Sequence, residues 1–206
     1  MKLYVDSHYA SPYAMSVFVA LEEKNLPFET ATIDLSSGIQ HASDYAKKSL
    51  THRVPTLVDG NFSLSESSAI TEYLHEAYPG RALYPSELKA RAHARQVQAW
   101  LRSDFMPIRQ ERSTIVLFYG SCATPLSADA LSAAGLLFAA VSDLLSHGGQ
   151  YLCGSEWCIA DVDLAVMLNR LVLNGDAVPE QFVSYAKRQW ARPSVQQWLK
   201  LERPPL

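Results

Sequence analysis

The sequence predicts an α/β N-terminal half followed by an all-α C-terminal half. Two observations carry this reading: strand-like and helix-like patterns alternate up to residue 78, and after the punctuated stretch 79–86 (PGRALYPS) only helical apolar stripes recur. The chain has 206 residues, 48% apolar and 19% charged, a balance suited to one large or two small folded domains rather than to disorder or a coiled coil. The expected organisation is a domain over residues 1–78, a linker over 79–86 and a helical domain over 87–206.

Lys2 to Asp6 is a short Leu/Tyr/Val run that reads as a strand. Ser11 follows as an N-cap with Pro12 at the first helical position, where a missing N–H is harmless, so residues 11–24 read as a helix. Phe28 to Ile33 has β-branched character and gives a second strand, and the polar stretch Asp34 to Ser49 reads as irregular with room for a short helix. Asp59-Gly60-Asn61 is a turn signal between the apolar runs 54–58 and 62–64, which predicts a β-hairpin. Ser65 is then expected to cap a helix through Tyr78, with Ala69, Ile70, Tyr73, Leu74 and Ala77 on its buried face. The order is βαβαββα.

In the second half, Val97, Leu101, Phe105 and Ile108 form a helical stripe that Pro107 should kink or end. Ala134, Leu137, Phe138, Val141, Leu144 and Leu145 form a cleaner stripe, and Ile159 to Leu173 is apolar nearly all round, as in a helix buried on most sides. Two shorter helices are expected before Pro204 and Pro205. The arginines 91, 95, 102, 109 and 112 read as a solvated face with Asp104 and Glu111 as partners.

A net charge of −3 and a pI near 6.1 give no electrostatic reason to bind nucleic acid. No apolar run reaches the roughly 18 residues of a membrane span, and the opening MKLYVDSHYASPY lacks the layout of a signal peptide, so a cytoplasmic protein without a membrane partner is expected. Cys122, Cys153 and Cys158 form no CxxC pair and the six histidines show no metal-ligand spacing, which argues against a disulfide scaffold or a metal site.

Val54-Pro55 enters a strand after irregular chain and is a candidate cis bond, although the dipeptide alone favours trans. Glu66-Ser67 opens the helix after the hairpin. There the backbone N–H groups, the helix dipole and the Ser67 hydroxyl suit a carboxylate, while Glu66 can pair with an ammonium. An α-amino acid end needs both.

A βαβ unit joined to a ββα unit, with a proline opening the first hairpin strand, is the layout of a thioredoxin-like domain. The segments SPYAMSVFVALEEK, RVPTL, SESSAITEYL and WCIADVDLA, spread from residue 11 to 165, resemble cytosolic glutathione S-transferases and among them the bacterial YfcF-type members. The resemblance covers essentially the whole chain. It implies a thioredoxin-like N-terminal domain followed by the all-helical transferase C-terminal domain, a homodimer, a role in detoxification or oxidative stress, and glutathione as co-substrate with no metal.

Residue by residue, the resemblance makes Val54-Pro55 cis, so that Val54 turns its N–H and C=O toward an extended peptide. It assigns Glu66 and Ser67 to the γ-glutamyl group and Arg53 to the glycyl carboxylate, a task suited to a guanidinium. Gln40, His41 and His52 are further polar neighbours of that end. Ser11-Pro12-Tyr13-Ala14 stands where a glutaredoxin has Cys-Pro-Tyr-Cys, so the sulfur must come with the substrate and Ser11 is the candidate donor to its thiolate. Tyr9 is the rival donor. A free thiol of pKa about 8.5 is about 3% ionised at pH 7, and a shift to roughly 6.5 raises that about 25-fold. The acceptor is then a small electrophile, giving conjugation, or a peroxide. Disulfide reduction by glutathione and a non-enzymatic binding module are the alternatives.

At Cys158-Ile159-Ala160-Asp161 the family has a Ser/Thr-x-x-Asp capping box. With a weakly accepting thiol at the cap, Asp161 is expected to satisfy more of the local donors itself. Phe105, Met106, Phe118 and Tyr119 are candidates for an acceptor pocket, or simply for core.

Overall fold

In the computed structural model, which describes residues 1–206, the chain forms two units: Met1–Leu83 together with Pro193–Leu206, and Tyr84–Arg192. The first unit is built on a sheet of order β2-β1-β3-β4. β1 (Lys2–Asp6) buries Leu3 and Val5 completely, as alternation along a strand requires. α1 (Pro12–Glu23) carries the chain across to β2 (Glu29–Ile33), which lies parallel to β1 with Lys2 opposite Glu29. Two short 3-10 turns and α2 (Ser43–Ala46) fill the polar stretch that follows.

β3 (Thr56–Asp59) runs antiparallel to β1 and pairs with β4 (Phe62–Ser65) across the expected turn, where Gly60 takes φ +57°. α3 (Ser67–Ala77) buries Ile70, Thr71 and Leu74 and packs with α1. Two expectations fail here: Ala69 and Ala77, placed on the buried face by their spacing, are exposed, and Ser65 does not cap α3. It is the last residue of β4, opposite Thr56, and Glu66 occupies the cap position with no side-chain cap bond.

The second unit is helical. α4 (Leu88–Ser103) begins at Glu87, whose carboxylate accepts the N–H groups of Lys89 and Ala90 at 2.9 and 2.7 Å. The expected interruption near Pro107 lies just before it: Asp104 and Phe105 leave the helix, Phe105 at φ +60°, and α5 (Met106–Glu111) restarts with the proline in its first turn. α6 (Thr114–Phe118) and α7 (Ala128–Leu144) follow, and α8 (Ile159–Val172) is the buried centre, packed by α4, α5, α6 and α9 (Glu180–Trp190).

The arginine reading needs correction. Arg112 is 1% exposed and donates from Nε and Nη2 to Asp176 at 2.6 and 2.8 Å, while Arg102 pairs with Asp163 at 3.5 Å. Asp104 instead accepts from Trp100 Nε1, and Glu111 from Ser127, with only the charge of Arg112 acting on Glu111 from the assigned face. Partners more than sixty positions apart do not show in helical spacing.

α10 (Pro193–Leu199) belongs with the first unit, whereas the sequence reading placed all of residues 87–206 in the helical domain. The reason is Trp198: fully buried, it lies edge-on to Phe18 of α1, with ring centroids 5.3 Å apart, and edge-on to Tyr9 at 5.8 Å. Ser194 adds a bond from its hydroxyl to Glu23 at 2.5 Å. No helix is long and apolar enough to cross a membrane.

Candidate functional site

Strand direction brings three segments together. β1 runs antiparallel to β3, and β3 to β4, with Tyr4, Thr56 and Ser65 in one row. The C-terminal end of β1, the N-terminal end of β3 and the C-terminal end of β4 therefore share one edge of the sheet. Ser11 follows β1, Arg53-Val54-Pro55 precede β3, and Glu66-Ser67 follow β4. With neighbouring strands about 4.8 Å apart, the row from β1 to β4 is about 10 Å, close to the length of an extended three-residue peptide.

At the first segment, Ser11 is the N-cap of α1: its Oγ accepts the Ala14 N–H at 3.2 Å. A lone pair is used there and the hydroxyl proton is not donated within the chain. The loop carrying it is held by Asp6, 8% exposed, whose carboxylate accepts the N–H groups of Ala10 and Ser11 at 2.8 and 2.9 Å. Tyr9 sits at φ +48°, with its ring against Trp198.

At the second, the Val54-Pro55 bond is cis. No hydrogen bond within the chain engages the Val54 N–H or C=O. The Arg53 carbonyl just before it is gripped by buried hydroxyls, accepting from Tyr45 at 2.7 Å and from Ser49 at 3.2 Å. Thr56 completes the cluster by donating to Ser49 Oγ at 2.9 Å, and burial raises the Tyr45 hydroxyl above the ordinary tyrosine range. The Arg53 side chain is exposed. His41 and His52 pair with each other, Nδ1 to Nδ1 at 3.3 Å, and the Gln40 amide donates to the Leu35 carbonyl at 3.2 Å.

At the third, Glu66 is exposed at φ +77° and ψ +115°, a conformation that a residue with a Cβ adopts at a cost of order 1–3 kcal/mol. Its carboxylate has no partner within the chain. Ser67, 2% exposed, begins α3.

Asp6, Tyr45, Ser49 and Thr56 went unrecognised in the sequence. They act on backbone groups of residues up to eight positions away and form no motif. In the second unit, Asp161 takes the role expected of it. Fully buried, it accepts from the N–H groups of Leu152 and Cys158 at 2.7 and 2.9 Å and from the Tyr185 hydroxyl at 2.6 Å. No group of three or more His, Cys, Asp or Glu is placed to hold a metal ion.

The family model for the glutathione S-transferase N-terminal domain matches residues 7–82, and that for the C-terminal domain matches residues 87–203. This chain belongs to the glutathione S-transferase family. Its thioredoxin-like N-terminal domain and helical C-terminal domain are those of the family. Glutathione S-transferase Z2 of Arabidopsis thaliana is 33% identical over 87% of this chain and 82% of its own length. A probable maleylacetoacetate isomerase of Caenorhabditis elegans is 30% identical over 79% of this chain and 75% of its own. Among solved structures, a glutathione transferase homolog from Burkholderia BGR1 with bound glutathione is 46% identical, with a TM-score of 0.77 over 97% of this chain and 95% of that one.

Proposed function

We propose that this transferase binds glutathione along the shared sheet edge and activates its thiol beside Ser11. The convergence of the Ser11, Val54 and Glu66 segments carries the reading, because their span matches an extended tripeptide. Val54 offers its unpaired N–H and C=O to the cysteinyl residue as a short added strand. Glu66 takes the γ-glutamyl ammonium and the start of α3 with Ser67 takes its carboxylate. Arg53, exposed and directly before Val54, takes the glycyl carboxylate. The glutathione bound to the Burkholderia homolog supports the choice of ligand.

Ser11 donates its hydroxyl proton in a hydrogen bond to the sulfur, which lowers the cost of losing the thiol proton to water. The thiolate then attacks an electrophilic carbon, forming a C–S bond as the leaving group departs with its electron pair, or attacks a hydroperoxide oxygen, forming an S–O bond as the O–O bond breaks and the alcohol leaves, after which a second glutathione converts the sulfenic acid to glutathione disulfide and water. A hydrogen bond to a charged group is worth about 1.5–3 kcal/mol, enough for roughly one to two pH units of the thiol midpoint. Ser11→Ala should therefore raise the midpoint of thiolate absorbance by at least about one unit while changing the glutathione Kd less than twofold at about pH 5.5, where the bound thiol keeps its proton. An unmoved midpoint rejects Ser11 as the donor.

The resemblance to YfcF-type members supports a cytoplasmic role in oxidative stress, tested by comparing turnover of an aryl halide with that of a hydroperoxide. We also read the protein as a homodimer; light scattering at twice the 22.9 kDa chain mass is the expected result.

A further inference from the structure

We propose that Arg203 is a positioning residue for Ser11, acting through the Tyr9 carbonyl. This rests on the reading of Ser11 given above. The two residues are joined by a short chain of contacts within the first unit. Arg203 Nη2 donates to the Tyr9 carbonyl at 3.3 Å, across 194 positions of sequence, and Tyr9 lies two residues before Ser11.

The guanidinium is itself fixed by α10. Nη1 donates to the carbonyls of Leu199 and Leu201, both at 3.0 Å, and Nη2 also donates to the Trp198 carbonyl at 3.0 Å. The Trp198 carbonyl also accepts the Leu201 N–H at 3.2 Å, so the guanidinium adds to the closure of the helix end. A planar fork held at that many points has little freedom left, so its reach to Tyr9 is set by where α10 lies. α10 in turn is pinned to α1 through Trp198 against Phe18.

Tyr9 needs this support because of its backbone. Its φ of +48° is unfavourable for an aromatic residue, at a cost of order 1–3 kcal/mol. Asp6 holds the loop by its N–H groups: Tyr9 donates to the Asp6 carbonyl at 3.0 Å, and Ala10 and Ser11 to its carboxylate. Arg203 is the polar group that holds the opposite, carbonyl side of Tyr9. Without it the Tyr9-Ala10 peptide can rotate toward negative φ and carry the Ser11 hydroxyl away from the sulfur position. Displacements of about half an ångström are enough to weaken a catalytic hydrogen bond.

The test measures the thiolate midpoint, kcat and the glutathione KM for Arg203→Ala, alongside Ser11→Ala and Ser194→Ala. Ser194→Ala removes the Glu23 bond at the other end of α10 without touching Tyr9, so it reports on loss of helix anchoring alone. Arg203→Ala should raise the midpoint by about half a unit, an approximately threefold loss of thiolate below the midpoint, and lower kcat about threefold with KM within twofold. Ser194→Ala should lower the Tm and leave the midpoint in place. An unmoved midpoint in Arg203→Ala, with Ser11→Ala shifted, overturns the role of Arg203 and leaves that of Ser11 standing. An equal shift in Ser194→Ala assigns the effect to helix anchoring and also overturns it. If Ser11→Ala itself leaves the midpoint unmoved, both readings fall. Should Arg203→Ala not fold, Arg203→Gln decides by the same midpoint criterion, since its shorter amide can serve the α10 carbonyls without reaching Tyr9.

Discussion

Replacing Asp161 by alanine should produce a large loss of stability, and a second substitution should partly reverse it. The carboxylate is fully buried and accepts three hydrogen bonds, from the Leu152 N–H, the Cys158 N–H and the Tyr185 hydroxyl. Alanine leaves all three donors in the interior of the helical unit without an acceptor. Each orphaned buried donor costs about 1–3 kcal/mol, and removal of an expensively buried charge returns part of the total, so a net loss of about 3–4 kcal/mol is expected. For a chain of this size that corresponds to a fall in Tm of roughly 6–16 °C.

Tyr185→Phe alone should cost about 1.5–3 kcal/mol, since it removes one hydrogen bond to a charged acceptor. In the Asp161→Ala background the same change deletes an orphan donor and should be neutral or stabilising. A thermal and denaturant double-mutant cycle reads this reversal directly. If Tyr185→Phe costs the same in both backgrounds, the account of Asp161 as the shared acceptor is wrong. The pH dependence has a definite sign. Burial, the largest cause, holds the Asp161 carboxyl above the ordinary aspartate range despite its hydrogen bonds. The folded chain thus binds this proton more tightly than the unfolded chain. The contribution is full below about pH 4 and declines as pH rises through the raised folded value. Asp161→Ala should lose that downward slope.

Glu66→Gly should relieve the strained backbone at φ +77° and delete the ammonium partner together. After the entropic disadvantage of glycine, a gain of about 1 kcal/mol, or 2–4 °C in Tm, is expected alongside a roughly tenfold weaker glutathione Kd by calorimetry. Tyr45→Phe removes the 2.7 Å bond to the Arg53 carbonyl while the Ser49 bond remains, so a loss of about 1 kcal/mol is expected, with a measurable rise in Kd because the Val54 peptide is less well held.

Local chemistry made much of the fold legible in the sequence. Pro12 after Ser11, Asp59-Gly60 between apolar runs, and the nearly all-round apolar character of residues 159–173 each correspond to an element of the structure. What escaped depends on distance. Ser65 looks like a cap, but pairing with Thr56 draws it into β4 and leaves the cap position to Glu66. Pro107 marks a break, yet a proline is tolerated in the first turn of a helix, so the break falls before it at Asp104-Phe105. Trp198 lies in the second of the two shorter helices expected before Pro204, and only the folded chain reveals that it faces Phe18 and Tyr9. At the candidate site, the residues proposed to touch glutathione lie in recognisable segments. Those that hold the backbone beneath them, Asp6, Tyr45, Ser49 and Thr56, carry no pattern of their own.

The most direct test of the central claim is a glutathione titration of the intact protein by calorimetry, followed on the same sample by ultraviolet difference spectra of the thiolate from pH 5 to 9. Stoichiometric binding with a thiolate midpoint at least about one unit below that of free glutathione is the predicted result. Binding with an unshifted midpoint, or no binding at all, contradicts it.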